Sequence, residues 1–311
     1  MKIVISGASG LVGRACASAL RDDGHTVVRL VRPETAPSGG AAVAAMDSMG
    51  AIYWDPAAGT INANAMAGAD AVLHFSGASI ASGRWTPTRK ALLRSSRVDS
   101  TRLLVDAIGR LRPKPRVFVC ASATGYYGSR GDEILTESSA PGDDFLAQLA
   151  RDWEAEARRA EFGGVRTVPL RFGLILSREG GALPQMLTPF QLGLGGRFGN
   201  GQQWMPWIAL EDVVGIIRAV LEDERFAGAV NVVSPNPVRN AEFTRTLAAA
   251  LHRPALFVAP AFALRLALGE MADALLGSQR VLPERLLALS YQFRFAELAD
   301  ALRAILAKQP V

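Results

Sequence analysis

The chain has little of what marks exported, membrane-spanning or metal-binding proteins. Only Cys16 and Cys120 are cysteines among 311 residues, which gives neither a disulfide framework nor a zinc spacing. The three histidines, His25, His74 and His252, lie far apart and are expected to be structural rather than metal-ligating. No apolar run reaches about 18 residues, and glycine interrupts the first strand too early for a secretory signal. We therefore expect a cytoplasmic protein with no metal and no membrane partner.

Charge and motif content exclude further classes. The 34 basic and 29 acidic residues are scattered, without the clustered basic run that nucleic-acid-binding proteins show, so no nucleic-acid partner is expected. Neither the Gly-x-Ser-x-Gly motif of hydrolases nor the phosphate loop of nucleotide triphosphatases is present. The chain is long enough for one large α/β domain and an added lobe.

The first 24 residues have the order strand, glycine turn, helix. "KIVIS" at 2–6 is a β-branched run, "GASGLVG" follows, and "RACASALRDDG" has helical spacing. In this G-x-x-G-x-x-G pattern the first glycine permits a sharp turn, the second permits close approach of a diphosphate, and the third permits close helix packing. A tight turn without a ligand is the alternative. We predict that the diphosphate of a dinucleotide is held by Gly7, Ser9, Gly10, Leu11, Val12 and Gly13.

The second strand, "TVVRLVR" at 26–32, predicts which dinucleotide is bound. Its end lacks the acidic residue that grips the 2′-hydroxyl of NAD, and Arg29 and Arg32 lie there instead. An arginine pairs well with a 2′-phosphate, so we predict NADP(H) with Arg32 as the contact and Arg29 on a solvated face. The next buried strand, "ADAVLHFSG" at 69–77, places Phe75 and Ser76 along the adenosine or ribose path. The repeated alternation predicts an α/β protein with a doubly wound parallel sheet.

Several stretches together resemble the extended and atypical short-chain dehydrogenases/reductases of the NAD(P)-dependent epimerase/dehydratase superfamily. They include "GASGLVG", "VFVCASATGYYG" and "WMPWIALEDVVGIIRAVL". The closer likeness is to the branch called "epimerase family protein", which is similar in "GRWTPTRK", "DFLAQLARDWEAEA" and the tail "GSQRVLPERLLALSYQFRF". That branch has an NADP-binding role and no firmly assigned reaction.

The resemblance implies a Rossmann core closed by a smaller, mostly helical C-terminal substrate lobe. We assign the core to residues 1–178, with 209–234 returning to it, and the lobe and C-terminal extension to 179–208 and 235–311. Apolar spacing agrees, because it predicts helices over 240–252 and 260–276. Extended relatives often pair through two helices, so a homodimer is one expectation.

The family usually combines a Ser or Thr on the fifth core strand with a Tyr and a Lys four positions later. The lysine ammonium favours the phenolate, which then works as a base near neutral pH. Here the last two positions correspond to Phe145 and Leu149, which cannot transfer a proton. Ser122 matches the hydroxyl position, with Thr124 as the alternative if the alignment slips.

The paired tyrosines "YY" at 126–127 are the candidates to replace the missing tyrosine. We take Ser122 and Tyr127 as the catalytic candidates, against packing as the competing interpretation. Arg97 stands where extended members commonly have asparagine, and is expected to contact a phosphate or ribose of the cofactor. Lys90, on the neighbouring helix, is an alternative source of the missing cation, but we interpret it as a solvated surface lysine.

Other groups are less specific. Glu133 and Glu137 are acid-base candidates or solvated loop carboxylates. The glycine-rich segment 193–201 predicts a mobile substrate-side loop or a plain hairpin, and Trp204 and Trp207 either line a pocket or join the lobes. The resulting hypothesis is an NADP(H)-dependent oxidoreductase or epimerase acting on an unidentified small molecule. The alternative is a non-enzymatic NADP(H) sensor or partner-binding protein.

Overall fold

The computed structural model describes residues 1–32 and 50–307 of the chain. Its strands are β1 (Lys2–Ser6), β2 (Thr26–Val31), β3 (Ala51–Asp55), β4 (Thr60–Ile61), β5 (Ala71–His74), β6 (Val117–Ala123), β7 (Ile134–Leu135), β8 (Arg166–Phe172), β9 (Leu174–Leu176), β10 (Gly196–Phe198), β11 (Trp204–Met205), β12 (Trp207–Ala209), β13 (Val230–Val232), β14 (Val238–Arg239), β15 (Phe257–Ala259) and β16 (Arg280–Val281). Its helices are α1 (Leu11–Asp22), α2 (Pro87–Ser95), α3 (Val98–Arg110), α4 (Phe145–Arg158), α5 (Leu183–Gln191), α6 (Leu210–Glu222), α7 (Asn240–Ala250), α8 (Ala261–Leu268), α9 (Met271–Leu276), α10 (Glu284–Ala288) and α11 (Leu298–Ala307).

The main sheet of the described residues has the strand order β13-β8-β6-β5-β1-β2-β3-β4. Every neighbouring pair in it is parallel except β3 with β4. The chain starts at β1, proceeds outward to β2 and β3, and then crosses to β5 on the other side of β1. This confirms the predicted doubly wound sheet, and it places a topological switch point beyond the carboxyl ends of β1 and β5.

Side chains that alternate along β1 divide the core into two layers. Ile3 and Ile5 pack with α1 and α6, whereas Val4 points to the opposite face and packs with α3 and α4. Period-2 alternation in a strand buried on both faces produces this arrangement. Each face of the sheet is therefore covered by helices, as the α/β class requires.

The C-terminal region has its own apolar core, formed where α7 and α11 pack around Trp207. The helix predicted over 240–252 is α7. The helix predicted over 260–276 is instead two helices, α8 and α9, which are separated at Gly269, where φ is +62°. The glycine-rich segment is not a plain hairpin, because its strand β10 pairs in parallel with β15. Within the described residues, no helix combines the length and the apolar character needed to cross a bilayer.

His74 occupies a structural position at the end of β5, as predicted. Its ring is fully buried, with Nδ1 2.5 Å from the Ser6 hydroxyl and Nε2 3.3 Å from the Ser100 hydroxyl. Burial, and secondarily the charge of Arg97, lowers the pKa of His74 to about 3. The imidazole therefore stays neutral in the folded protein down to about pH 3.

We predict that His74 makes the fold lose stability as the pH falls from about 6.5 towards 3. In that window the unfolded chain binds a proton at this histidine and the folded chain does not, so the free energy of unfolding decreases by roughly 1.4 kcal/mol per pH unit. Urea titrations at several pH values measure the slope. In the His74→Gln variant, the free energy of unfolding should fall less steeply with decreasing pH, by about 1.4 kcal/mol per pH unit, which corresponds to one proton. Equal slopes in the two proteins would contradict the assignment.

Candidate functional site

The turn between β1 and α1 depends on glycines that have no space for a side chain. Gly7 adopts φ +72°, and a Cβ there would lie 2.6 Å from the carbonyl carbon of Phe75. A Cβ at Gly13 would lie 2.1 Å from the carbonyl oxygen of Gly7. The amide of Gly10 closes the turn by donating to that oxygen at 2.9 Å. The predicted roles of the first and third glycine, a sharp turn and close helix packing, match this geometry.

The N-terminus of α1 is open to a ligand. Gly10 is the N-cap residue with extended backbone, it provides no side-chain cap, and the first helical turn contains no acidic residue. Ser9 and Gly10 are exposed. The amides of the first helical turn lack intrahelical acceptors and carry the positive end of the helix dipole. Together with the glycine turn, they make a cradle suited to a diphosphate.

The two arginines of the second strand lie in different environments. Arg32 follows β2 directly and is exposed. Arg29 lies inside β2, in register with Ile5 and Ala51, and its buried Nε has no hydrogen-bond partner among the described residues. The Arg29 side chain is therefore half-buried, and not the fully solvated face residue that the sequence suggested.

Phe75 and Ser76, in the loop after β5, lie next to the glycine turn, and Arg97, the residue before α3, contacts the same loop. The amide of Phe75 donates to Ser6 at 3.2 Å, next to Gly7. The guanidinium of Arg97 donates to the carbonyls of Ala78 and Leu93, at 3.0 and 3.2 Å.

Arg97 also has no charge partner within residues 1–32 and 50–307. Among the described residues no carboxylate pairs with its guanidinium. Burial, and then the nearby charge of Arg89, lowers the pKa of Arg97 to about 10. A half-buried cation without a carboxylate, beside a dinucleotide-type turn, is suited to an anionic ligand.

The catalytic candidates Ser122 and Tyr127 are buried in this structure. Ser122 is 3% exposed and donates to a carboxylate oxygen of Glu154 at 2.8 Å. Tyr127 is fully buried, donates to Asn231 at 2.6 Å and accepts from Arg171 at 2.9 Å. Burial raises the pKa of Tyr127 to about 12, which disfavours the phenolate that a base would need. Both hydroxyls form hydrogen bonds with other side chains of the protein, and the catalytic roles of the two residues stay predictions.

The centre of this buried network is an ion pair that sequence reasoning did not identify. Arg171, at the end of β8, contacts both carboxylate oxygens of Glu154 on α4, at 2.7 and 2.8 Å. The ring of Tyr126 covers the guanidinium, with its centroid 3.5 Å from Cζ, and packs edge to face on Tyr127. The tyrosine pair therefore packs around Arg171. The one signal in the sequence was a glutamate on the apolar stripe of α4.

The positions that correspond to the family's Tyr and Lys carry no ionisable group. Phe145 begins α4 and packs against Trp85, and Leu149 is buried. Lys90 places its ammonium 5.0 Å from the centroid of the Phe145 ring and forms an ion pair with Glu270. Lys90 is thus not the solvated surface lysine that the sequence suggested, because it joins α2 to the C-terminal region.

The remaining candidates have structural partners. The guanidiniums of Arg239 and Arg280 lie 4.6 and 4.7 Å from the centroid of the Trp204 ring, Trp204 donates to Asp132, and Trp207 is fully buried. Glu133 is paired with Arg130. One carboxylate oxygen of Glu137 accepts from the backbone amides of Asn231 and Arg285, so Glu137 connects β13 to α10 rather than standing in solvent.

Comparison with known proteins identifies relatives over the whole chain. The model of the NAD dependent epimerase/dehydratase family matches residues 3–233, and a domain of unknown function, DUF1731, matches residues 259–305. Human epimerase family protein SDR39U1 is 36% identical over 311 residues, covering 99% of this chain and 100% of that protein. Its crystal structure (isoform2) with NADPH has a TM-score of 0.85 at 34% identity and covers 98% and 99% of the two chains.

Two further structures are similar. A nucleoside-diphosphate sugar epimerase from Corynebacterium glutamicum is 35% identical with a TM-score of 0.77, and covers 97% of this chain and 57% of that one. UDP-glucuronic acid 4-epimerase from Bacillus cereus in complex with NAD has a TM-score of 0.75 at 15% identity, covering 98% and 97% of the two chains, which shows a shared fold alone.

Proposed function

Because this chain belongs to the NAD dependent epimerase/dehydratase family, we propose that it binds NADP(H) and uses it in an oxidoreductase or epimerase reaction on a small molecule. The observation that carries the proposal is the turn at residues 7–13, where two glycines exclude any side chain and α1 begins without a cap. The NADPH in the crystal structure of human SDR39U1 supports the choice of cofactor.

The residues present fit a phosphorylated dinucleotide. The diphosphate belongs at the open end of α1, where backbone amides and a glycine cradle favour an anion. Arg32 belongs at the 2′-phosphate, and Arg97 at a further phosphate or ribose, because its guanidinium has no carboxylate partner among the described residues. When bound, the nicotinamide accepts or donates a hydride. The full set of proposed contacts is Gly7, Ser9, Gly10, Leu11, Val12, Gly13, Arg32, Phe75, Ser76 and Arg97.

The Arg32→Ala variant tests the cofactor choice. A guanidinium on a phosphate contributes about 1.5–3 kcal/mol, so NADPH affinity should fall by roughly 10- to 150-fold while NADH affinity changes little. Calorimetric titration of both nucleotides measures the change in preference. Arg21→Ala, which removes another exposed arginine at the end of α1, is the control for net charge and should bind both as the wild type does. An Arg32→Ala protein that keeps the full preference for NADPH would overturn the assignment.

A second function, a non-enzymatic NADP(H) sensor, is favoured by the composition of the catalytic position. Phe145 and Leu149 carry no transferable proton, and Ser122 and Tyr127 are buried. The absorbance of NADPH, followed over a panel of carbonyl compounds and nucleotide sugars, separates the two functions. Turnover of any substrate supports the enzyme. Tight binding without turnover of any of them supports the sensor.

A further inference from the structure

β15, α8 and the segment before β10 carry a group of exposed apolar side chains, which we call the apolar patch. It contains seven of the twelve large apolar side chains that are exposed among the described residues, with exposed fractions between 44% and 85%. Its members are Leu192, Leu194, Leu256, Phe257, Val258, Phe262 and Leu266. None of these side chains is among the proposed cofactor contacts, so the cofactor does not account for their exposure.

The members of the patch belong to adjoining elements. β15 contributes Phe257 and Val258, and α8 begins two residues after the end of β15. β10, which pairs with β15, follows directly after the segment that carries Leu192 and Leu194. Within α8, none of the eight residues is buried, although seven of the eight, in "AFALRLAL", are apolar. A helix that is apolar on all sides is normally covered by another surface.

The size of the patch is that of one partner's share in a stable protein interface. A fully exposed large apolar residue presents roughly 150–200 Å², so the seven exposed fractions correspond to an area on the order of 800 Å². The largest patch on a typical monomer is about 300–600 Å², whereas a standard interface buries about 800 Å² per partner.

The free edge of β15 decides which kind of partner fits. In the parallel pair, the amide of Phe257 donates to Gly195 and the carbonyl of Ala259 accepts from Gly199, so these two residues face β10. The amide and carbonyl of Val258 therefore point to the opposite side, where the described residues place no strand. A lipid surface cannot satisfy these backbone groups, whereas another strand can.

We propose that two copies of this chain associate through the apolar patch, with β15 of each copy pairing antiparallel across a two-fold axis at Val258. In this arrangement the two Val258 residues exchange both hydrogen bonds, and Phe262 and Leu266 of α8 cover the pair. Arg265, the one charged residue of α8, is already paired with Asp273 at 3.3 Å. The contact therefore need not bury an unpaired charge.

Sedimentation equilibrium of the full chain tests this dimer at tens of micromolar protein. The wild type should have twice the 33.1 kDa mass of the chain. In the double variant Phe262→Glu/Leu266→Glu, two carboxylates on the same face of α8 face the same carboxylates of the other copy. The dissociation constant of the dimer should therefore rise by at least about 100-fold. Val258→Pro removes the outward amide without removing a bond to β10, and should also shift the mass towards the monomer.

The control is Phe162→Glu, because Phe162 is 93% exposed but lies in the 3-10 segment Arg159–Gly163, far along the chain from the patch. This variant should remain dimeric, and thermal unfolding should show that every variant is folded. A monomeric wild type would overturn the proposal, whether or not it sediments with phospholipid vesicles. So would a double variant that dimerises as tightly as Phe162→Glu, which would indicate an interface elsewhere, such as the two-helix contact expected from extended relatives.

Discussion

Replacing Gly13 by alanine is expected to reduce NADPH affinity by two orders of magnitude or more. The added methyl would lie 2.1 Å from the carbonyl oxygen of Gly7 and 2.9 Å from Cα of Ala8. Both contacts are with backbone, which cannot rotate away as a flexible side chain can. Gly7 has no room to yield either, since even a Cβ built on it would lie 2.6 Å from the backbone of Phe75. Helix α1 must therefore move off the turn, and the amides that face the diphosphate move with it.

Calorimetric titration of NADPH into wild type and variant measures the loss, which corresponds to about 2.7 kcal/mol or more. Gly109→Ala is a matched control, because Gly109 also lies in a helix, α3, but has no atom within 4 Å of the added methyl. It should keep the wild-type affinity and raise the free energy of unfolding by up to about 1 kcal/mol. A folded Gly13→Ala protein with undiminished NADPH binding would show that the turn is not the binding site.

The glycine turn at residues 7–13 could be predicted from the sequence because its signals are local. A β-branched run, three spaced glycines and a helical pattern follow one another within 24 residues, and β1 and α1 begin and end close to the predicted positions. Backbone geometry at such a turn depends on which residues lack a Cβ, and the sequence states this directly. The alternation of strands and helices determined the doubly wound sheet for the same reason.

The buried network behind the tyrosine pair could not be predicted in the same way. Arg171 lies 17 residues from Glu154 and 44 from Tyr127, and Asn231 lies 104 residues from Tyr127. Periodicity indicates which face of an element is buried, but it does not say which distant polar group meets another there. Only the packing of α4 on β6 and β8 identifies these partners, among them the Glu154 carboxylate that accepts from Ser122.

The exposure of residues 255–264 could not be predicted either, for a different physical reason. The stretch "ALFVAPAFAL" at 255–264 is almost entirely apolar, and composition alone would place it in a core. The structure instead makes its first half an edge strand that pairs in parallel with β10, and its second half the unburied start of α8. Apolar composition measures how much a segment gains from being covered, and says nothing about whether its own chain supplies the cover.

Arg171→Met is expected to lower the free energy of unfolding by about 3–5 kcal/mol. The substitution approximately preserves volume but leaves the carboxylate of Glu154, which is 2% exposed, without its bidentate partner. Ser122 and Arg158 still donate to that carboxylate, at 2.8 and 3.1 Å, and they offset part of the lost interaction. Urea unfolding measures the difference from the wild type.

Burial is what makes this arginine different from the many exposed ones, and Arg102→Met provides the comparison. Arg102 pairs with Glu156 at 2.8 Å while remaining 47% exposed, so its replacement should cost less than about 1 kcal/mol. Removing both buried charges in Arg171→Met/Glu154→Leu should be less destabilising than Arg171→Met alone, because no uncompensated carboxylate remains in the core. An Arg171→Met protein that unfolds like Arg102→Met would mean that water reaches Glu154. The phenol of Tyr127, held by the same guanidinium, would then be accessible to a substrate and a stronger candidate for proton transfer.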